Sequence, residues 1–196
     1  MATVVGSLTM SLDGFVAHDD DSVGHLFDWY EEGDVALSWP GMGMVSHVSA
    51  EDAAYLREVI DSIGAIVVGR RGYDYTGGWD GNHTLGVPLF LVTHHPPAQW
   101  PRPDAPFTAV PEGVAKAIDL AKDVAGSKSV ALAGPSIIQQ ALDLDLVDEL
   151  AIDLAPVLLG SGVRFFDERS RVLLLEDPTV REGTRVVHLR YRVRRG

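Results

Sequence analysis

The segment Ser127-Lys-Ser-Val-Ala-Leu-Ala-Gly-Pro-Ser-Ile-Ile-Gln-Gln-Ala-Leu142 sets the reading of this chain. Its apolar run, Val130 to Ala133, breaks at Gly134-Pro135-Ser136, and an amphipathic stretch follows at once. That pattern reads as a strand, a tight turn and a helix start. Ser136 is the expected N-cap, with Pro135 well tolerated around a helix opening. The first N–H groups of a helix lack intrahelical acceptors and lie at the positive end of its dipole, so the turn offers a seat for a phosphate.

The same grammar recurs on either side. Ala65-Ile-Val-Val68 is a buried-type strand ending in Gly69-Arg70-Arg71-Gly72, and Val87 to Thr93 is another, ending in His94-His95-Pro96-Pro97. Phe107 to Val110 is a third, followed by a helix from about Glu112 to Val124. Upstream, Thr3 to Met10 is β-type and ends in the turn signal Ser11-Leu-Asp-Gly14. Ser49-Ala-Glu-Asp52 resembles a capping box for a helix to about Ser62, with Ala54, Leu56, Val59, Ile60 and Ile63 as its apolar stripe. Phe27 to Trp39 mixes aromatics with carboxylates until Pro40-Gly-Met-Gly43 breaks it. A strand over Glu149 to Leu159 and a two-strand segment from Arg171 onward complete the series. Strands alternating with helices imply an α/β domain, a mainly parallel sheet with helices on both faces. The β-type C-terminal run adds antiparallel strands at one edge. No linker or repeat divides residues 1–196, so one domain is expected.

Composition narrows the function classes. A formal net charge of −12 argues against nucleic acid, which needs a basic footprint. The arginines cluster near the C-terminus, where Arg190, Arg192 and Arg194 share one face of a strand and are expected to be a solvated face. Zero cysteines exclude disulfides and thiolate chemistry. No apolar run approaches the roughly 20 residues that span a bilayer, and the first residues lack the pattern of a signal peptide. A cytoplasmic location, with no membrane partner, is the expectation. Among the seven histidines none pairs with a carboxylate at ligand spacing, so no metal site is expected. The His18-Asp19-Asp20-Asp21 run reads as a solvated acidic loop.

Three strands thus end in phosphate-friendly turns: Gly69-Arg70-Arg71, Thr93-His94 and Gly134-Pro135-Ser136-Ile137. Ligands of open α/β sheets collect beyond the carboxyl ends of parallel strands. Three turns on one edge can hold the separated phosphates of a dinucleotide. Arg70 and Arg71 can fork onto a ribose 2′-phosphate, which would favour NADP over NAD; surface ion pairs are the alternative. The glycine fingerprint of Rossmann folds is absent.

Together these residues resemble the dihydrofolate-reductase-like superfamily, and most of all the reductase half of the bifunctional riboflavin-biosynthesis deaminase–reductase. The matching pieces are Met10-Ser-Leu-Asp-Gly14, Ile66-Val-Val-Gly-Arg-Arg71, Leu91-Val-Thr-His94, Ala133-Gly-Pro-Ser136 with Gln140-Ala-Leu142, Leu146-Val-Asp-Glu-Leu150, Ala155-Pro-Val-Leu-Leu-Gly-Ser-Gly-Val-Arg-Phe-Phe166 and His188-Leu-Arg-Tyr191. The resemblance implies a twisted, mostly parallel sheet of about eight strands and NADPH as hydride donor. It implies reduction of a C=N or C=O in a small heterocycle, as in dihydrofolate reductase or the phosphoribosylaminouracil reductase. Gly69, Arg70, Arg71, Thr93 and His94 would flank the 2′-phosphate, while Gly134, Pro135, Ser136 and Ile137 would cover the pyrophosphate. Ser11, Gly14, Phe15 and Gly160 would lie at the wall where nicotinamide meets substrate, and Trp29 would stack on the ring, with Tyr30 and Trp79 as further candidates. Asp13 is the candidate catalytic residue, orienting substrate or relaying a proton, with capping of the Ser11–Gly14 turn as the equal alternative and Asp28 and Glu31 in reserve. The zinc-bearing deaminase half has no counterpart. Two rival readings are an NADP-binding sensor or partner subunit without turnover, and a flavin-dependent oxidoreductase. A homodimer paired along the C-terminal strands is a further expectation.

Overall fold

Strand β1 (Val4–Ser11) forms the middle of the molecule, and its alternation divides everything else into two sides. The structure is a computed structural model that describes residues 2–167 and 172–194. In chain order there follow β2 (Phe15–Ala17), a 3-10 segment (Gly24–Glu31), β3 (Val35–Ser38), β4 (Val45–Val48), helix α1 (Ala50–Ser62) and β5 (Ile63–Gly69). Next come α2 (Arg70–Tyr75), a second 3-10 segment (Gly77–Gly81), β6 (Leu89–Val92), β7 (Phe107–Val110), α3 (Val114–Ala125), β8 (Ser129–Ala133) and α4 (Pro135–Asp143). The series ends with β9 (Glu149–Ala155), β10 (Val163–Arg164), β11 (Thr179–Glu182) and β12 (Val187–Arg192).

Eight strands form one sheet in the order β11-β12-β9-β1-β8-β5-β6-β7. The run from β9 to β7 is parallel, and β12 and β11 close one edge by antiparallel pairing. One face carries Val4, Ala65, Val67, Val130, Leu132 and Ile152, packed against Ile118 and Ala121 of α3 and Ile138 and Ala141 of α4. The opposite face is covered over part of its width by α1. This is the expected α/β arrangement, with antiparallel C-terminal strands and helices on both faces. Among the described residues no helix is long and apolar enough to cross a membrane.

Several local expectations need correcting. Gly134, at φ 99°, is the N-cap of α4, with Pro135 as first helical residue and Ser136 second. Proline's fixed φ suits that first position, and glycine alone adopts this positive φ without strain. Ser49 does cap α1, its hydroxyl oxygen accepting from the Asp52 N–H. The stripe of that helix, however, runs through Ala53 and Leu56 and leaves Ala54 exposed. Three residues apart lie on one helical face; two apart do not. Pro40-Gly-Met-Gly43 is the turn of a β3–β4 hairpin, closed by Trp39 N–H donating to the Met44 carbonyl over 2.9 Å. Strand β9 stops at Ala155 instead of running to Leu159, because Pro156 has no N–H for the ladder. Arg171 and Arg195 lie outside the described residues. Arg190 is half-buried and ion-paired with Glu149, so the expectation of a wholly solvated arginine face fails at that residue.

Candidate functional site

The strand order places β8, β5 and β6 side by side, so the turns after all three meet at the carboxyl edge of the sheet. Gly69 lies close to the start of α4: a Cβ there would be 3.2 Å from the Ile137 side chain and 3.8 Å from the Ser136 hydroxyl. Arg70 joins its turn to the next, Nη1 donating to the His95 carbonyl at 2.6 Å while Nε reaches Asp74 at 2.7 Å. Arg71 crosses to the acidic loop and pairs with Asp21 at 2.6 Å. Thr93 folds its turn, its hydroxyl oxygen accepting from the His95 N–H at 3.2 Å; His94 is exposed. No side chain caps α4, and Pro135 has no N–H, which leaves the Ser136 and Ile137 N–H groups open to an anion. Gly69, Arg70, Arg71, Thr93, His94, Gly134, Pro135, Ser136 and Ile137 therefore gather at one edge of the sheet.

A second group forms at the ends of β1 and β9. The buried Ser11 hydroxyl donates to Asp13 Oδ1 at 2.6 Å and accepts from the Phe15 N–H at 2.9 Å. Asp13 also accepts from the N–H groups of Leu159 (3.1 Å) and Gly160 (2.7 Å), so it ties the β1 turn to the loop after β9. The Ser11 hydroxyl, foremost, and these two N–H groups hold the Asp13 carboxyl below its ordinary range against a weaker opposing effect of burial. Gly14 sits at φ 90°, its carbonyl accepting from the Phe165 N–H, and Phe15 is buried beneath the Arg164 guanidinium. None of Ser11, Asp13, Gly14, Phe15 and Gly160 lines the cleft described next.

That cleft, of about 240 Å³, opens on the face of the sheet opposite α3 and α4. Its floor is Ser7 and Thr9 of β1, Ala131 and Ala133 of β8, and Ala151 and Asp153 of β9. Tyr30, Trp39 and Tyr55 wall it, and the buried His83 also lines it. The assignment of Trp29 to the substrate needs correcting. Its ring is 1% exposed, packed edge-on to His188, and its indole N–H has no partner among the described residues. Neighbouring Tyr30 faces the cleft instead, since consecutive residues of a 3-10 turn point in different directions. Trp79 packs edge-on to His83. Asp28 and Glu31 pair outward with His25 and His47.

Under the cleft lies a cluster that sequence reasoning missed. The His188 ring on β12 is held from both sides, Nδ1 by Asp153 at 2.7 Å and Nε2 by Asp52 at 3.0 Å. The side chains of Asp52, His188 and Asp153 are 0%, 2% and 13% exposed. Tyr55 stacks on the imidazole at 3.8 Å. Burial pulls the His188 pKa down, but hydrogen bonding and charge from Asp153, then Asp52, outweigh it and leave it raised. Burial, and next the Asp153 charge, push both Tyr30 and Tyr55 above the ordinary phenol range, so their hydroxyls are neutral donors. His83 behaves oppositely: burial alone pushes it down to about 4. Its Nδ1 accepts from the Leu85 N–H, which puts the ring proton on Nε2. The available signal for the missed cluster was periodic. His188 and Arg190 alternate on a strand, as do Asp153 and Ala151, but only the β9–β12 register pairs 188 with 153.

No known protein-family model matches the chain. YwjB of Bacillus subtilis, a protein of uncharacterized function, is 22% identical over 192 residues, 94% of each chain. A Shewanella protein described as belonging to riboflavin biosynthesis superposes over 100% of both chains with a TM-score of 0.74 and 21% identity. The riboflavin biosynthesis reductase of Saccharomyces cerevisiae gives 0.62 and 17% identity, over 98% of this chain and 90% of that one. Enterococcus faecalis dihydrofolate reductase, solved with NADP(H), gives 0.54 and 12% identity over 97% and 96%. Identities this low speak to architecture alone. The chain has the dihydrofolate-reductase-like fold, and its structural neighbours include a riboflavin biosynthesis reductase and a dihydrofolate reductase.

Proposed function

We propose that the protein is an NADPH-dependent reductase that delivers hydride to a C=N or C=O of a small planar heterocycle bound in the cleft. One observation carries this reading. Ala133 lines the cleft and the next residue, Gly134, opens the uncapped turn, so an anion seat and a ring-sized aromatic cleft adjoin on one strand. A dinucleotide lying along the edge would put its phosphates on the turns and its far end at the cleft.

The residues present suit such a cofactor. Ser136 and Ile137 offer N–H groups for the pyrophosphate. Arg70 and Arg71 are 41% and 61% exposed, so each can leave its carboxylate partner for a 2′-phosphate. The bound cofactor would supply hydride; the chain supplies position, a dry pocket and hydrogen bonds. Tyr30, Trp39 and Tyr55 form flat walls against a planar ring. Asp13 acts at a distance in this reading, by fixing the Ser11–Gly14 turn against Gly160.

Titration of NADPH and NADH against the wild type and the Arg70→Ala/Arg71→Ala variant tests the cofactor half. The expected outcome is a loss of about tenfold or more in NADPH affinity with little change for NADH. Equal NADPH affinity in both proteins would remove these arginines from the site. NADPH oxidation across pterins, pyrimidines, quinones and flavins tests turnover. Tight binding with no acceptor reduced would favour a sensor or partner subunit.

A further inference from the structure

We propose that His83 sets the ligand specificity of the cleft: its Nε2–H is a neutral donor for a carbonyl oxygen projecting from the edge of a bound planar ring. This rests on the substrate reading of the cleft and adds a chemical class, an uncharged ring with an exocyclic C=O. The imidazole lines the cleft although only 7% of the residue is exposed. Its Nδ1 is occupied, accepting from the Leu85 N–H at 3.2 Å, so the ring proton sits on Nε2. No group among the described residues accepts from that Nε2. Native structures leave few such secluded N–H groups unpaired, because each has given up its water for nothing. A ligand in the cleft supplies the missing acceptor.

The fold holds this donor in one place. The His83 carbonyl accepts from the Gly86 N–H at 2.7 Å, and Trp79 packs edge-on to the imidazole at 4.7 Å. The tip of the β3–β4 hairpin clamps the same loop. Gly41 N–H donates to the Thr84 carbonyl at 2.9 Å, and the Asn82 amide donates to the Gly41 carbonyl at 2.8 Å. Gly41 lies so close that a Cβ there would fall on the His83 carbonyl oxygen. A donor fixed in advance loses little freedom when a ligand arrives. Its chemistry is equally restricted. No carboxylate pairs with the ring, and burial keeps it uncharged at neutral pH. A cationic nitrogen has no lone pair to offer it, and one neutral N–H does not offset the desolvation of an anion. An uncharged carbonyl needs just one such bond. Because the imidazole is recessed, its acceptor must stand out from the ligand's edge. An exocyclic C=O does so; a ring nitrogen flush with that edge does not.

Titration of the full chain, without nucleotide, by indanone and indane reads this bond, since the two share one flat frame and differ in the carbonyl. The ratio of their affinities is the measure, because indane is the more apolar. In His83→Phe the indanone-to-indane ratio is expected to fall about fivefold or more. His83→Gln, whose amide N–H can take the place of Nε2–H, is expected to keep the ratio within about twofold of the wild type. In the wild type, the His83 Nε2 resonance is expected to move further with indanone than with indane. An unchanged ratio in His83→Phe, a ratio as low in His83→Gln as in His83→Phe, or a resonance that indanone does not move would overturn the role of His83 alone. Failure of both probes to bind the wild type would overturn the substrate reading of the cleft and this role with it.

Discussion

The sheet edge that carries the three turns and the cleft floor are built from opposite materials. At the edge the charged groups and their partners are largely exposed: Arg70 pairs with Asp74 four residues on along α2, and Arg71 with Asp21 of the acidic loop. On the floor the partners are buried and distant: His188 meets Asp153 across 35 residues and Asp52 across 136. Water screens the edge pairs, so they contribute little to stability and are free to exchange partners. No such exchange is open to the floor, where a lost partner leaves a buried charge unmatched. The edge is suited to recognising a ligand, and the floor to holding a fixed field beneath one.

The largest expected effect tests that contrast. Asp52→Ala strands the His188 Nε2 in a buried site and removes the acceptor of the Thr184 N–H and the Ser49 hydroxyl at its margin. Removing one partner of a buried ionic cluster costs about 3–5 kcal/mol. Gly183 belongs to the same unit, since a Cβ there would collide with the Asp52 carboxylate; overpacking of that kind costs about 1–3 kcal/mol. Arg70→Ala/Arg71→Ala, by contrast, should change stability by less than about 1 kcal/mol. Urea unfolding of Asp52→Ala, Gly183→Ala and Arg70→Ala/Arg71→Ala beside the wild type measures all of this. An Asp52→Ala protein as stable as the arginine variant would erase the distinction.

The two buried histidines sharpen it through pH. His83 is lowered from 6.5 to about 4 when folded, so the native state favours its neutral form. That stability is complete above pH 6.5 and is lost as pH falls toward 4, where the imidazole gains its proton. About 2.5 units at 1.36 kcal/mol each makes this roughly 3 kcal/mol. His188 has the opposite sign. Its folded pKa is raised, so its contribution is complete below 6.5 and fades as pH rises through the folded value. Urea midpoints for the wild type and His83→Gln from pH 4 to pH 7 isolate the first effect. The variant should lose less stability on acidification. Parallel curves would mean that His83 is not buried as a neutral ring.

What the sequence made legible follows the same division. The strand–turn–helix units around Gly69 and Gly134 are local, and their apolar runs and glycine breaks mark them without knowledge of the fold. Parallel order then brings them together, because strands alternating with helices leave few other arrangements. The Ser49–Asp52 cap was also legible, but only half of Asp52's work is local. Its hydrogen bonds to Thr184 and His188 depend on how the C-terminal strands return to α1, which no spacing announces. Trp29 and Tyr30 fail for another reason. Adjacent aromatics in a 3-10 turn carry no periodic mark of which one faces the core.

Asp13 gives the smallest expected effect and a direct test of where the chemistry sits. It belongs to the edge in its exposure, yet it accepts three hydrogen bonds, as tightly engaged as a floor residue. A carboxyl held below its ordinary range stays ionised at neutral pH and is a poor proton donor. In Asp13→Asn the side-chain oxygen can still accept from one backbone N–H, while the amide nitrogen faces a second donor. The Gly160 loop should loosen against the Ser11–Gly14 turn. For whichever acceptor proves to be reduced, KM should rise a few-fold while kcat falls less than about tenfold and keeps its pH profile. A positioned general acid or base contributes about 10²–10⁴-fold, so a loss of that size with a vanished pH limb would return the proton to Asp13. A modest loss with an intact profile would instead leave proton transfer to the cleft, where Asp153 and its two tyrosines stand.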